Sequence, residues 1–134
     1  MIRVLFPALT LAVLAIAPLP AMATEWLDCT SFDFNQRVQL LAGGVDFHQF
    51  SAAALYVNGA DWSTSPEAQP GAPLDIGQAF WDGETLLVDL IDPAAQTVLA
   101  ELRVFATSEG ADDVKGGVLR VPGKGAWVVV CTGP

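Results

Sequence analysis

Short apolar runs separated by turn residues are the feature of this sequence that most restricts its fold. Asn58-Gly59 and Asp82-Gly83 each stand between two such runs, and Pro122–Gly125 separates the last two. Asn-Gly in this setting predicts a two-residue β-hairpin, because both central residues of that turn need positive φ. Only Ala52–Leu55 looks helical, and it is too short to form a helix alone.

The runs between Trp26 and Cys131 predict about eight short strands. In Thr97–Ala106 apolar residues alternate with a mixed set, which is the period of a strand with one buried face. Ser65–Pro73 and Thr107–Asp113 are predicted loops. Short turns favour an up-and-down meander of antiparallel neighbours. We therefore expect an all-β domain folded as a small antiparallel barrel, with a two-sheet β-sandwich as the alternative.

Two cysteines lie close to the two ends of the predicted domain. Cys29 belongs to the first strand and Cys131 to the last. In an oxidising compartment an even cysteine count predicts a disulfide, and only one pairing within the chain is possible. A Cys29–Cys131 bond would tie the first strand to the last, which is the contact that closes a barrel and removes exposed edges.

The first 23 residues have the pattern of a Sec-type signal peptide. Met1 and Arg3 precede an apolar stretch, and Ala21-Met22-Ala23 fits a small-x-small cleavage site. We expect cleavage after Ala23, and a single all-β domain over residues 24–134 that is periplasmic or secreted. No later apolar run reaches the ~20 residues of a membrane span.

The predicted domain is strongly acidic. The whole chain has 15 acidic and six basic residues, and one of the six, Arg3, lies in the signal peptide. No lysine or arginine occurs between Ala42 and Leu102, where nine acids lie. Such a charge disfavours nucleic acid as a partner and favours encounter with a basic protein. Solubility alone is an equally good explanation of the charge.

Candidate catalytic and metal-binding residues are few. His48 is the only histidine, and Asp46 and Ser51 are its nearest potential partners, but the glycine-flanked serine of a nucleophile elbow is missing. Glu109, Asp112 and Asp113 do not match a calcium loop, and one histidine with two bridged cysteines makes no ordinary zinc site. We expect no catalytic residues, no metal and no cofactor.

Four tryptophans are the most unusual part of the composition. Trp62 follows Asp61 and Trp81 precedes Asp82, so both pairs lie near predicted turns. Aromatic side chains at strand ends can form a binding patch for sugar or protein. We therefore predict a possible binding surface made of Asp61, Trp62, Trp81 and Asp82, with packing in a small core as the alternative. Trp127 precedes three valines and is expected in the core.

The general plan, an exported barrel of about 110 residues with a cysteine near each end, is similar to that of the bacterial periplasmic inhibitors of C-type lysozyme. Those inhibitors insert a serine-glycine-rich loop into the enzyme, and no Ser-Gly-Ser-Gly-like segment occurs here. The resemblance implies an inhibitor of a basic, lysozyme-like hydrolase as one possible function.

Three classes of function follow from the sequence. The first is an exported, non-catalytic domain that binds a partner, such as a basic protein, or is simply associated with the cell envelope. The second is a barrel that binds a sugar or another small ligand through its mouth and its tryptophans. The third is an enzyme of unrecognised type. The sequence does not indicate an oligomeric state.

Overall fold

The computed structural model describes residues 24–43 and 49–134, and within these ranges it contains ten β-strands and no helix. The count exceeds the expected eight partly because the two-residue β5 forms inside the predicted loop Ser65–Pro73. The strands are β1 (Glu25–Ser31), β2 (Gln36–Ala42), β3 (Phe50–Val57), β4 (Ala60–Ser63), β5 (Ala72–Pro73), β6 (Asp75–Trp81), β7 (Thr85–Ile91), β8 (Val98–Glu109), β9 (Asp112–Val121) and β10 (Gly125–Thr132).

All ten strands belong to one sheet in the order β5-β4-β3-β2-β1-β10-β9-β8-β7-β6. Every pair of neighbours is antiparallel except β4 and β5. The sheet curls until β3 and β6 approach each other across the gap between its two edges. The prediction of an all-β, up-and-down, barrel-like fold is therefore confirmed, and a single sheet decides against the two-sheet sandwich.

The first and last strands lie in the middle of the sheet, where β1 pairs with β10. Cys29 and Cys131 are directly opposite each other in this pair and form the predicted disulfide. Both cysteines are buried. Because the bond joins the first strand to the last, the open seam of the barrel falls in mid-chain, between the β4–β5 edge and β6.

Aliphatic side chains fill the interior. In β8 the buried Ala100, Leu102 and Val104 alternate with partly exposed residues, as the sequence predicted. Burying each leucine or valine stabilises the fold by about 1.5–3 kcal/mol. The largest of these buried side chains are Leu40, Leu55, Leu74, Leu86, Leu90, Leu102 and Leu119. Trp62, Trp81 and Trp127 are partly buried and pack against this core.

The Asn58-Gly59 hairpin forms as predicted. Asn58 has φ 49° and Gly59 has φ 89°, which are the positive values that the two-residue turn requires. Val57 then pairs with Ala60, and the register of β3 and β4 follows from the turn.

The predicted loop Thr107–Asp113 is wrong. β8 continues to Glu109 and β9 begins at Asp112, so only Gly110 and Ala111 make the turn. Both faces of this end of the hairpin are exposed, which is why its polar residues gave no strand signal. One of the short apolar runs that the sequence predicts as strands, Val45–Phe50, lies mostly outside the described residues, and Phe50 begins β3.

Replacing both cysteines by alanine should lower the free energy of unfolding by about 4 kcal/mol, because the bond closes a loop of about 100 residues in the unfolded chain. The sequence separation of the two cysteines is 102. Urea unfolding of the double variant measures the loss. An unchanged unfolding midpoint would contradict the role given to the bond.

Candidate functional site

A groove of about 390 Å³ lies on the outside of β2, β3 and β4. A ligand pocket for a small molecule typically has a volume of ~300–1,000 Å³. The aromatic residues along this groove are Phe34, Tyr56 and Trp62, and the polar ones are Arg37, Gln39, Asp61 and Gln69. Trp62 is opposite the buried Leu55, so its ring points to the inner face, where Lys124 lies over it. The groove therefore combines flat apolar rings with both signs of charge and two amides.

The strand register brings the groove's charged side chains into one row. Arg37 of β2 is opposite Tyr56 of β3, and Tyr56 is opposite Asp61 of β4. Gln39 is opposite Ala54, whose small side chain leaves room beside Tyr56. The Tyr56 ring thus lies between the Arg37 cation and the Asp61 carboxylate, next to a hollow. This arrangement is suited to binding a ligand.

The segment after β4 forms one wall of the groove. Its turn is fixed by Ser65, whose carbonyl accepts hydrogen bonds from the backbone N–H groups of Ala68 and Gln69, each 2.9 Å long. Gly71 then passes so close to β4 that a Cβ there would lie 2.9 Å from the backbone of Asp61 and Trp62. Its φ of 149° also suits glycine alone. This close approach holds Gln69 and Pro70 over the groove.

Phe34 extends the groove onto the β1–β2 turn. Its side chain is 77% exposed, and its φ is 60°, a conformation that bulky residues rarely adopt. Asp33 holds this turn, since its carboxylate accepts hydrogen bonds from the Ser31 hydroxyl at 2.6 Å and the Asn35 side-chain amide at 3.2 Å. An exposed ring in a strained, well-anchored turn is a feature found at functional sites.

The Arg37 charge is already neutralised by Asp28. Its guanidinium donates to both carboxylate oxygens of Asp28, which also accepts from Thr30 and Gln39 at 3.0 Å. Burial raises the pKa of Asp28, but these hydrogen bonds outweigh it and hold the pKa below 3.8. The same pairing raises the pKa of Arg37.

Asp61 makes no ion pair and no side-chain hydrogen bond with the described residues, so the groove presents one uncompensated carboxylate.

Every described basic side chain has a partner within the molecule. The ion pairs are Arg37–Asp28, Arg103–Asp89, Lys115–Asp113 and Arg120–Glu101. The fifth cation, Lys124, lies 5.9 Å from the centre of the Trp62 ring, within cation–π range. Of the fourteen acidic residues in the described ranges, four hold these ion pairs and ten hold none. The free charge at the surface is therefore negative.

The structure divides the predicted binding surface. Asp61 and Trp62 lie together in the groove, whereas Trp81 and Asp82 stand at the far end of β6 and do not line it. Asp82 accepts hydrogen bonds from the backbone N–H groups of Thr85 and Glu84, which lower its pKa. Its observed contacts therefore fix the β6–β7 turn.

Among the described residues, none of the remaining chemical candidates lines the groove. His48 and Asp46 lie outside the described residues, and Ser51 is exposed with its hydroxyl donating to the Leu41 carbonyl. No group of three or more potential metal ligands occurs in residues 24–43 and 49–134. No helix in those ranges is long and apolar enough to cross a membrane.

Phe34, Tyr56, Arg37 and Gln39 were not predicted as site residues. The sequence contains one indication of Phe34. The segment Phe32-Asp33-Phe34-Asn35 has two phenylalanines in a turn between strands, where polar residues are usual.

No protein-family model, curated protein or solved structure matches the chain.

Replacing Phe34 by asparagine should raise the free energy of unfolding by about 1 kcal/mol, because asparagine tolerates positive φ and the lost ring is mostly exposed. Phe32→Asn is the matched control, since Phe32 is 74% exposed and its φ is not positive. Urea unfolding of both variants gives the comparison. Equal changes in the two variants would show that the Phe34 conformation is unstrained.

The low pKa of Asp28 predicts a loss of stability in acid. A carboxyl group whose folded pKa lies below its unfolded value of about 3.8 stabilises the fold fully above that value, and this stability is lost as the pH falls through the folded pKa. Asp28→Asn should therefore lose less stability than the native protein between pH 6 and about pH 3, by up to about 1 kcal/mol. Parallel pH profiles would contradict this.

Proposed function

We propose that this protein is an exported, non-catalytic binding domain whose groove receives a lysine or arginine side chain of a basic partner protein. The observation that carries the proposal is the uncompensated carboxylate of Asp61 directly opposite Tyr56 on the outer face of the sheet. A carboxylate gives a charge-assisted hydrogen bond to a cation, and aromatic faces attract its charge.

The distribution of charge supports a basic partner. Antiparallel connections bring the β1–β2, β3–β4, β7–β8 and β9–β10 turns to one end of the barrel, together with the start of β6. Asp33, Asp61, Asp75 and Asp92 lie at this end, and none of them is in an ion pair. They outnumber Lys124 of the β9–β10 turn, whose charge lies over the Trp62 ring. A negative rim of this kind accelerates encounter with a cationic protein.

Phe34 supports a protein as the ligand. Its exposed ring lies at this acidic end and lines the groove. Interfaces concentrate their binding energy in a few aromatic anchors surrounded by polar residues. Phe34 is suited to be such an anchor, because the turn holds its ring exposed in a positive-φ conformation that opposes folding.

Export is part of the proposal. The buried Cys29–Cys131 bond is compatible with an oxidising compartment. The signal-peptide prediction for residues 1–23 concerns residues that the structure does not describe.

A C-type lysozyme, a basic protein, is a suitable first probe. We expect the immobilised domain to bind it at 50 mM salt, with an association rate that falls steeply by 300 mM. Asp61→Asn should weaken the affinity about tenfold, as expected for one lost charge-assisted hydrogen bond. Asp112→Asn, which removes the same charge from the β8–β9 hairpin at the opposite end, should change it much less. A parallel assay of cell-wall lysis tests whether binding also inhibits the enzyme.

Asp61 is a better test position than Asp82 or Asp92. The carboxylates of the latter two accept backbone hydrogen bonds in their turns, so replacing them also disturbs the fold. Equal affinities for Asp61→Asn and Asp112→Asn would reject the groove as the contact. Binding of neither lysozyme nor other basic proteins would reject the basic partner.

A carbohydrate ligand is the second candidate, favoured by the aromatic residues Phe34 and Tyr56 along the same groove as the amides of Gln39 and Gln69. The interior of the barrel is filled with aliphatic side chains, so this groove is a better location than the barrel mouth. A shift of tryptophan fluorescence with soluble oligosaccharides, insensitive to salt and lost in Trp62→Phe, would favour this function over the first.

A further inference from the structure

The outer face of β6–β10 carries a row of apolar side chains far from the groove. Phe80 is opposite Leu87 in the register of β6 and β7, and Val118 is opposite Val128 in that of β9 and β10. Arg103 joins the two pairs, because it is opposite both Leu87 and Val118. The row therefore crosses five adjacent strands.

A second apolar row runs beside the first. Phe105 of β8 and Val130 of β10 stand on either side of Gly116, which has no side chain to separate them. Phe105 is 66% exposed, the most exposed side chain of the two rows. We call this surface the outer apolar face; it consists of Phe80, Leu87, Phe105, Val118, Val128 and Val130.

The outer apolar face is electrically neutral, unlike the rest of the surface. The carboxylates within it, Asp89 and Glu101, are paired with Arg103 at 2.7 Å and with Arg120. Three of the five cations of the domain are used on β8 and β9, while the acids at the turns stay uncompensated. This face therefore gives a basic partner no electrostatic attraction. It is suited to contact with another neutral, apolar surface.

We propose that the outer apolar face binds a second copy of this chain in a weak, two-fold symmetric dimer. The face contains both a knob and a hollow, as a two-fold contact requires. The knob is the exposed ring of Phe105. The hollow, of about 370 Å³, is lined by Phe80, Leu87 and the Asp89–Arg103 pair. Two copies facing each other each place Phe105 towards the hollow of the other.

The size of the face sets the strength of the dimer. With strands about 4.8 Å apart and successive outward residues about 7 Å apart, the two rows cover roughly 350 Å². A stable interface buries about 800 Å² on each partner, so the dimer dissociates readily on dilution. Two acidic copies also repel each other, and salt screens this repulsion without weakening the apolar contact. Salt therefore strengthens the dimer, whereas it weakens binding of a basic partner at the groove.

Sedimentation equilibrium of residues 24–134, with the disulfide formed, tests the proposal. Protein concentrations from about 10 µM to about 500 µM suit an interface of this size, at 50 mM and 500 mM sodium chloride. We expect monomer at low salt and a monomer–dimer equilibrium at high salt. Phe105→Ser should lower the association constant at least about tenfold, as for a central aromatic anchor. Val128→Ser, at the margin of the face, should lower it less.

Phe32→Ser is the matched control, because it removes an equally exposed phenylalanine from the β1–β2 turn and changes no charge. It should leave the equilibrium unchanged. Monomer under all conditions would overturn the proposal, as would an association that Phe105→Ser leaves intact or that Phe32→Ser weakens equally. Neither result bears on the groove, since none of these substitutions removes a groove residue.

Discussion

The pairing of β1 with β10 is the contact on which the rest of the molecule depends. A meander has two edge strands. Because the first strand pairs with the last in the middle of the sheet, the edge strands are β5 and β6, which lie in the middle of the sequence. β4, next to one of these edges, has only four residues, and the segment after it returns along the free edge of β4 as β5. That segment makes one wall of the groove. The groove therefore lies beside the open seam of the barrel.

The arrangement of charge divides the surface into two regions. Cross-strand pairs such as Arg120 with Glu101 neutralise the outer side of β7–β9, where the residues are directly opposite each other. The acids at the turns have no such neighbours, because a strand partner ends where the turn begins. Because the sheet has few cations, it has an acidic rim and a neutral outer apolar face. Salt weakens binding at the acidic rim and strengthens association through the outer apolar face.

The sequence was sufficient for the fold class, the disulfide and two residues of the groove, Asp61 and Trp62. Once Asn58-Gly59 is recognised as a two-residue turn, Tyr56 must lie opposite Asp61, so that contact was derivable. The position of Arg37 beside Tyr56 was not, because the β2–β3 connection spans residues 43–49 and does not fix the register. The conformation of Phe34 was equally hidden, since local turn preferences assign positive φ to glycine or asparagine rather than to phenylalanine.

Several features that oppose folding lie around the groove. Phe34 has a strained backbone, Gly71 permits a backbone approach that any side chain would block, and β4 has only four residues. The longest strand pairing lies on the other side, where β8, β9 and β10 have 12, 10 and 8 residues and the disulfide joins β10 to β1. Because one side of the barrel is well stabilised, the protein can fold despite the destabilising features on the other side. This asymmetry is what a binding domain needs, because a fixed, exposed ring and an unpaired carboxylate are useful only if something else keeps them in place.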